Sequence, residues 1–216
     1  MKLEKMNDFF TKRIDEYETH MLENVQGCKE GYIKLAELIP NTCKKLLDLG
    51  CGTGLELHEI FKKIPDLEVT GIDLTQAMLD KLKSNFPNKN MNLILGSYFD
   101  VPFGEKEFDI AISFQTMHHF THERKVVLYK KIRKALKSGG MYIECDYVAK
   151  NGAEENYLFS ELNRIRKEQN INKYEFVHFD TPCTVENQIE MFKSAGFKES
   201  KKVWQKGQTA IIVNKL

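Results

Sequence analysis

In the run Leu46-Leu47-Asp48-Leu49-Gly50-Cys51-Gly52-Thr53-Gly54, an acid sits within an apolar stretch and three glycines follow at alternate positions. Leu57, Ile60, Phe61 and Ile64 come next at helical spacing. The segment therefore predicts a buried strand, a tight glycine turn and the first helix of an α/β unit. Gly50 and Gly52 let the backbone turn sharply and approach a ligand where a Cβ would collide. Gly54 is expected to let the helix pack close to the strand. A second acid, Asp73, ends the next apolar stretch, Leu67-Glu68-Val69-Thr70-Gly71-Ile72. A carboxylate there accepts hydrogen bonds from the hydroxyls of a ribose, so the chemistry expected is capture of a nucleoside-containing cofactor. Spacing argues against a dinucleotide. In G-x-G-x-x-G the third glycine would fall on Leu55 or Leu57, depending on the register. Asp48 would repel a phosphate on the helix N-terminus and instead suits a cation, such as the amine of an amino-acid moiety.

The pattern acid-x-Gly-x-Gly-x-Gly resembles motif I of the class I S-adenosylmethionine-dependent methyltransferases. Asp73 matches that family's ribose-binding acid. Phe108-Asp109-Ile110-Ala111-Ile112-Ser113 followed by Met117-His118-His119-Phe120 is similar to its fourth strand and frequent His-His ending. Leu136-Lys137-Ser138-Gly139-Gly140-Met141-Tyr142-Ile143 is similar to its turn into the fifth strand. The resemblance covers about residues 44–148. It implies S-adenosyl-L-methionine as cofactor, S-adenosyl-L-homocysteine as product and a methyl acceptor. It places the cofactor against Tyr17, Asp48, Gly50, Cys51, Gly52, Thr53, Gly54, Asp73, Leu74, Met78, Ser97, Tyr98, Ser113, Phe114, Gln115 and His118. One position departs from the family. After Leu93-Ile94-Leu95-Gly96 the usual adenine-facing acid is replaced by Ser97. Asp100 either compensates from nearby or is a helix cap or solvated loop acid.

Methyl transfer from a sulfonium needs position and dryness more than an acid catalyst, and a base only when the nucleophile must lose a proton. Ligands of open α/β sheets bind beyond the carboxyl ends of the strands, which points to Gln115, His118 and His119 after strand 4, and Asp146 and Tyr147 after strand 5. His118, His119 and Asp146 are the catalytic candidates: a histidine near neutrality takes a proton from a phenol, amine or thiol. The alternative is that one of the pair packs under the cofactor and bonds backbone. No metal is expected, because with His122 the pair finds no cysteine or acid nearby in sequence to complete a tetrahedral set. Tyr17 and His20 belong to an N-terminal stripe that either packs as core or folds over the cofactor. Tyr157, Phe159, Arg164 and Arg166 either line a substrate pocket, an arginine holding a carboxylate, or belong to a charged surface helix.

These residues require a scaffold. At 216 residues the chain fits one α/β domain. The resemblance implies a three-layer α-β-α Rossmann-like sheet, strand order 3-2-1-4-5-7-6 with strand 7 antiparallel, plus an N-terminal helical lid. The expected divisions are a lid over 1–42, a cofactor-binding core over 43–148, a helical insertion over the active site at 149–183, and a closing helix with two strands over 184–216. Phe10, Ile14, Tyr17 and Met21 predict one amphipathic helix over about 5–25. Thr75, Thr121 and Thr184 are expected N-caps. Lys+Arg 32 against Asp+Glu 31 leaves a net charge of +1 and no nucleic-acid footprint. The run Lys130-Lys131-Ile132-Arg133-Lys134 reads as the solvated face of a helix whose apolar stripe is Leu128, Ile132, Ala135 and Leu136. Five scattered cysteines without a C-x-x-C read as reduced cytosolic thiols. Without a signal-peptide core or an 18-residue apolar run, the expectation is a cytoplasmic protein with no membrane contact, monomeric or homodimeric, acting on a small-molecule acceptor. Two other readings stay open: a carboxy-S-adenosylmethionine synthase-like enzyme of wobble-uridine modification, and a non-catalytic S-adenosylmethionine-binding module.

Overall fold

A computed structural model describes residues 1–216. Seven strands form one sheet in the order β3-β2-β1-β4-β5-β7-β6. They are β1 (Lys45–Leu49), β2 (Glu68–Asp73), β3 (Met91–Leu95), β4 (Phe108–Phe114), β5 (Leu136–Tyr147), β6 (Glu199–Lys206) and β7 (Thr209–Lys215). β1 pairs in parallel with β2 and β4, whereas β7 runs antiparallel to both β5 and β6. The expected topology is therefore present, including the closing hairpin.

Alternation along the strands feeds two cores. Leu46, Ile110, Ile112 and Ile143 pack under α3 (Cys28–Leu38), α4 (Leu55–Lys63) and α5 (Gln76–Asn85). Leu47, Leu49, Ala111 and Tyr142 pack on the opposite face, under α6 (His122–Ala135) and α8 (Val185–Ser194). Covering both faces is what lets β1 and β4 be apolar almost throughout. The stripe Leu128, Ile132, Ala135 and Leu136 is buried as expected, but so is Lys125 one turn earlier. Within the basic run Lys131 is half-buried, its ammonium donating to the carbonyls of Tyr98 and Phe99. No helix is long and apolar enough to cross a membrane, and all five cysteines are free and buried.

Several local expectations change. The single N-terminal helix is three pieces: α1 (Met6–Lys12), α2 (Ile14–Thr19) and a π-helical turn over His20–Asn24. The break lies at Arg13, whose φ −110, ψ 11 is not helical. α1 is tied to a distant segment by Met6 N–H donating to Phe176 O and His178 N–H donating to Glu4 O, so tertiary pairing sets its direction and α2 restarts at a new angle. Thr75 and Thr121 occupy N-cap positions without side-chain cap bonds. The Thr75 N–H goes to Asp73 Oδ1 instead. Asn151 and Thr184 do cap, on α7 (Gly152–Glu168) and α8. β5 begins at Leu136 rather than near 140, because the chain leaves α6 directly into extended backbone.

Candidate active site

The loop after β1 puts Gly50, Gly52 and Gly54 at φ of 72, 48 and 79, a region side chains avoid. A Cβ on Gly50 would lie 2.6 Å from Thr116 Oγ1, and one on Gly52 would lie 3.5 Å from the Tyr17 hydroxyl. Gly54 corrects an expectation: its Cβ would meet Leu82 and Phe86, each at 3.1 Å, so the crowding comes from α5 and its following turn rather than from the strand.

Beneath this loop three carboxyls cluster. Asp48 is fully buried, and neither of its oxygens has a hydrogen-bond partner. The Glu56 carboxyl lies against it, and burial pushes both upward, Glu56 to about 7. Asp73 is pushed up to about 6 by burial, opposed by bonds from the Gly52 and Thr75 backbone N–H groups, both at 2.9 Å. Each Asp73 oxygen keeps a second lone pair for a further donor. Sequence reasoning missed Glu56, since an acid in a first helical turn reads as an ordinary complement to the helix dipole.

A small cavity of about 40 Å³ opens on the loop. Of the expected cofactor contacts, Tyr17, Gly50, Gly52, Asp73, Leu74, Met78, Tyr98, Phe114 and Gln115 line it. Met6 and Phe10 of α1 line it too, so α1 narrows the opening. Of the others, His118 faces a second cavity. Cys51 fills the space over Gly71, its Sγ 2.9 Å from where a Cβ would stand. Thr53 is buried, and Ser113 Oγ is bonded to Tyr142 Oη at 2.6 Å inside the core. Ser97 Oγ accepts from Phe99 N–H at 3.1 Å and faces neither cavity, while Asp100 is an exposed turn residue.

The second cavity, of about 680 Å³, shares Phe10, Tyr17 and Gln115 with the first. His118, His119, His178, Asp180, Tyr147 and Arg13 face it. Asp146 Oδ1 lies 2.7 Å from His118 Nδ1 and fixes the ring. Burial disfavours imidazolium, but the charge and hydrogen bond of Asp146 outweigh it and hold His118 above its usual value. Burial, with His118 and His178 adjacent, holds His119 well below its own. His178 and Asp180 were not legible from sequence, because they come from the loop after α7. That loop is fastened by Thr181, whose N–H and Oγ1 both donate to His118 O, at 2.7 and 3.0 Å. α7 itself stands aside. Tyr157 is exposed, Arg164 pairs with Glu161 and Glu168, and Arg166 donates to carbonyls of Asn172 and Glu175. The insertion thus reaches the site through its trailing loop, and Arg13 rather than Arg164 or Arg166 is the arginine that lines it.

A glycine cradle over three buried acids, beside a roomy polar cavity, fits a cationic nucleoside cofactor and an acceptor. Residues 46–140 match the family model described as a methyltransferase domain. The chain is similar to S-adenosylmethionine-dependent methyltransferases. An uncharacterized methyltransferase of Schizosaccharomyces pombe is 26% identical over 63% of this chain and 51% of its own length. The chain thus spans about half of that relative. A carboxy-S-adenosyl-L-methionine synthase of Nautilia profundicola is 23% identical over 94% of this chain and 92% of its own. Human N-acetylserotonin methyltransferase, solved in complex with S-adenosylmethionine, shares the fold: TM-score 0.64 at 17% identity, over 88% of this chain and 52% of that one.

Proposed function

We propose that this methyltransferase domain transfers a methyl group from S-adenosylmethionine to a small acceptor carrying an ionisable O–H, S–H or N–H. The observation that carries the reading is Asp48, wholly buried beneath the glycine turn with only another acid, Glu56, against it. Such a group is costly unless a cation meets it, and the amine of the cofactor's methionine end is that cation. Asp48 and Glu56 hold the amine, Asp73 the ribose, and Tyr17 with α1 covers the loop. When bound, S-adenosylmethionine supplies an electrophilic methyl group on a sulfonium. The chain's own residues position the acceptor and keep water out. His118, with Nδ1 held by Asp146, presents Nε2 to the acceptor cavity, where its lone pair receives the acceptor's proton or a cation that weakens it. The balanced net charge of +1 and the absence of a basic patch in the cavity walls favour a small molecule over nucleic acid.

A second reading has its own support. The alignment to the carboxy-S-adenosyl-L-methionine synthase runs over 94% of the chain, and Arg13, its guanidinium 3.8 Å above the Phe9 ring, lines the cavity where an added carboxylate would need a cation. Mass spectrometry of the ligand retained by the purified native protein tests both. S-adenosylmethionine or S-adenosylhomocysteine supports the first. A ligand heavier by one carboxylate moves the assignment to the second, and a dinucleotide would overturn both.

A further inference from the structure

Asp180 Oδ1 is shielded from solvent and has no hydrogen-bond partner, although three histidines surround it. His119 Nδ1 stands 3.4 Å away, His118 Nε2 3.6 Å and His178 Nε2 3.9 Å. All three are too long for hydrogen bonds, which fall near 2.7–3.2 Å for N–H···O. They match another pattern. Ligand atoms about 2.0–2.1 Å from a tetrahedral ion stand about 3.3 Å from one another. The nitrogens of His118 and His119 and the Asp180 oxygen all lie within 4.8 Å of each other.

We infer that His118 Nε2, His119 Nδ1 and Asp180 Oδ1 form a site for one divalent transition ion of the zinc class, with its remaining position facing the acceptor cavity. Two imidazoles and a carboxylate with an open fourth position is the donor set of a catalytic rather than a structural site. The supporting groups are in place. Asp146 holds His118 Nδ1 at 2.7 Å, the carboxylate–histidine arrangement that turns the other nitrogen toward a metal. Thr181 ties the Asp180 loop to the His118 carbonyl. Without an ion, His119 Nδ1–H is directed at Phe179 O at 3.3 Å; with one, the proton moves to Nε2. A second cluster, His122, Glu155 and Cys183, is less suited. The Glu155 oxygens already accept from Thr184 N–H and from the Asn187 amide, and the Lys125 ammonium lies 3.3 Å from Cys183 Sγ.

The inference rests on the methyl-transfer reading for the ion's use: it would bind the acceptor's oxygen or sulfur and favour its deprotonated form, the proton passing to solvent because the His118 Nε2 lone pair is then on the ion. That narrows the acceptor to hydroxyl or thiol compounds able to ligate a metal.

The test uses the full chain, stripped with a chelator and titrated with Co²⁺ alone, followed by visible absorption. One equivalent should give saturable ligand-field bands that Zn²⁺ abolishes and acetohydroxamate, a ligand for the open position, perturbs. Asp180→Asn and His119→Gln should each weaken Co²⁺ at least 10-fold, with circular dichroism confirming the fold, while His122→Gln should bind as wild type. Absence of saturable bands, equal binding by Asp180→Asn, or loss in His122→Gln overturns the site. S-adenosylmethionine calorimetry on the same metal-free sample keeps the two claims apart. Cofactor heat without Co²⁺ bands rejects the metal and leaves methyl transfer standing, with the His118 lone pair receiving the proton; Co²⁺ bands without cofactor heat reject methyl transfer and leave a metal site.

Discussion

Asp48, Glu56 and Asp73 show how a binding site is held ready at a cost to the empty protein. Each is an acid pushed upward by burial, Glu56 to about 7 and Asp73 to about 6. The folded chain thus holds these protons more tightly than the unfolded chain, where carboxyls titrate near 4. Stability is greatest below the unfolded values and falls as pH rises from about 4 through the folded values of Asp73 and Glu56, about 6 and about 7, since the unfolded state releases its protons first. Thermal unfolding of the ligand-free protein should show that decline. Asp48→Asn should reduce it, because one of the carboxyls raised by burial no longer titrates, and should weaken S-adenosylmethionine by about 10-fold or more through loss of a charged partner. An Asp48→Asn protein that shows the same decline and binds as wild type would mean that Asp48 meets no cation. Asp48 and Asp73 were legible in the sequence because each sits at the end of an apolar strand next to a glycine turn or helix start. Glu56 was not, because nothing in the pattern around it distinguishes a buried acid from a solvated one.

At the scale of elements, the N-terminal pieces decide access. Met6 and Phe10 line an opening of about 40 Å³ over the glycine loop, whereas ligand pockets run about 300–1,000 Å³. We propose that α1 shifts to admit a nucleoside and that its ties to the 176–178 segment loosen with it. Amide exchange across residues 5–25 should slow when S-adenosylhomocysteine is bound; equal protection with and without it would make the helix a fixed part of the core and Tyr17 a packing residue. The stripe Phe10, Ile14, Tyr17 and Met21 revealed an amphipathic segment but not its break at Arg13. That break depends on pairing with Phe176 and His178, and contacts so distant leave no local periodicity. The same holds for Asp180, which lies before Thr181-Pro182 in a segment whose sequence marks only a loop.

For the molecule as a whole, the elements and both cores follow from signals that repeat locally, apolar strands, glycine turns and helical stripes, while the sheet order follows from the family resemblance those signals carry. The larger cavity does not, because it is built where the N-terminal helices, the strand 4 and 5 ends and the loop after α7 converge. The central claim is that this convergence serves a cationic nucleoside cofactor. Titration calorimetry of the chelator-treated protein with S-adenosylmethionine, and separately with NAD, tests it most directly. We expect one site for S-adenosylmethionine at micromolar affinity, about −8 kcal/mol, and no heat with NAD. Tight NAD binding with no heat from S-adenosylmethionine would contradict it.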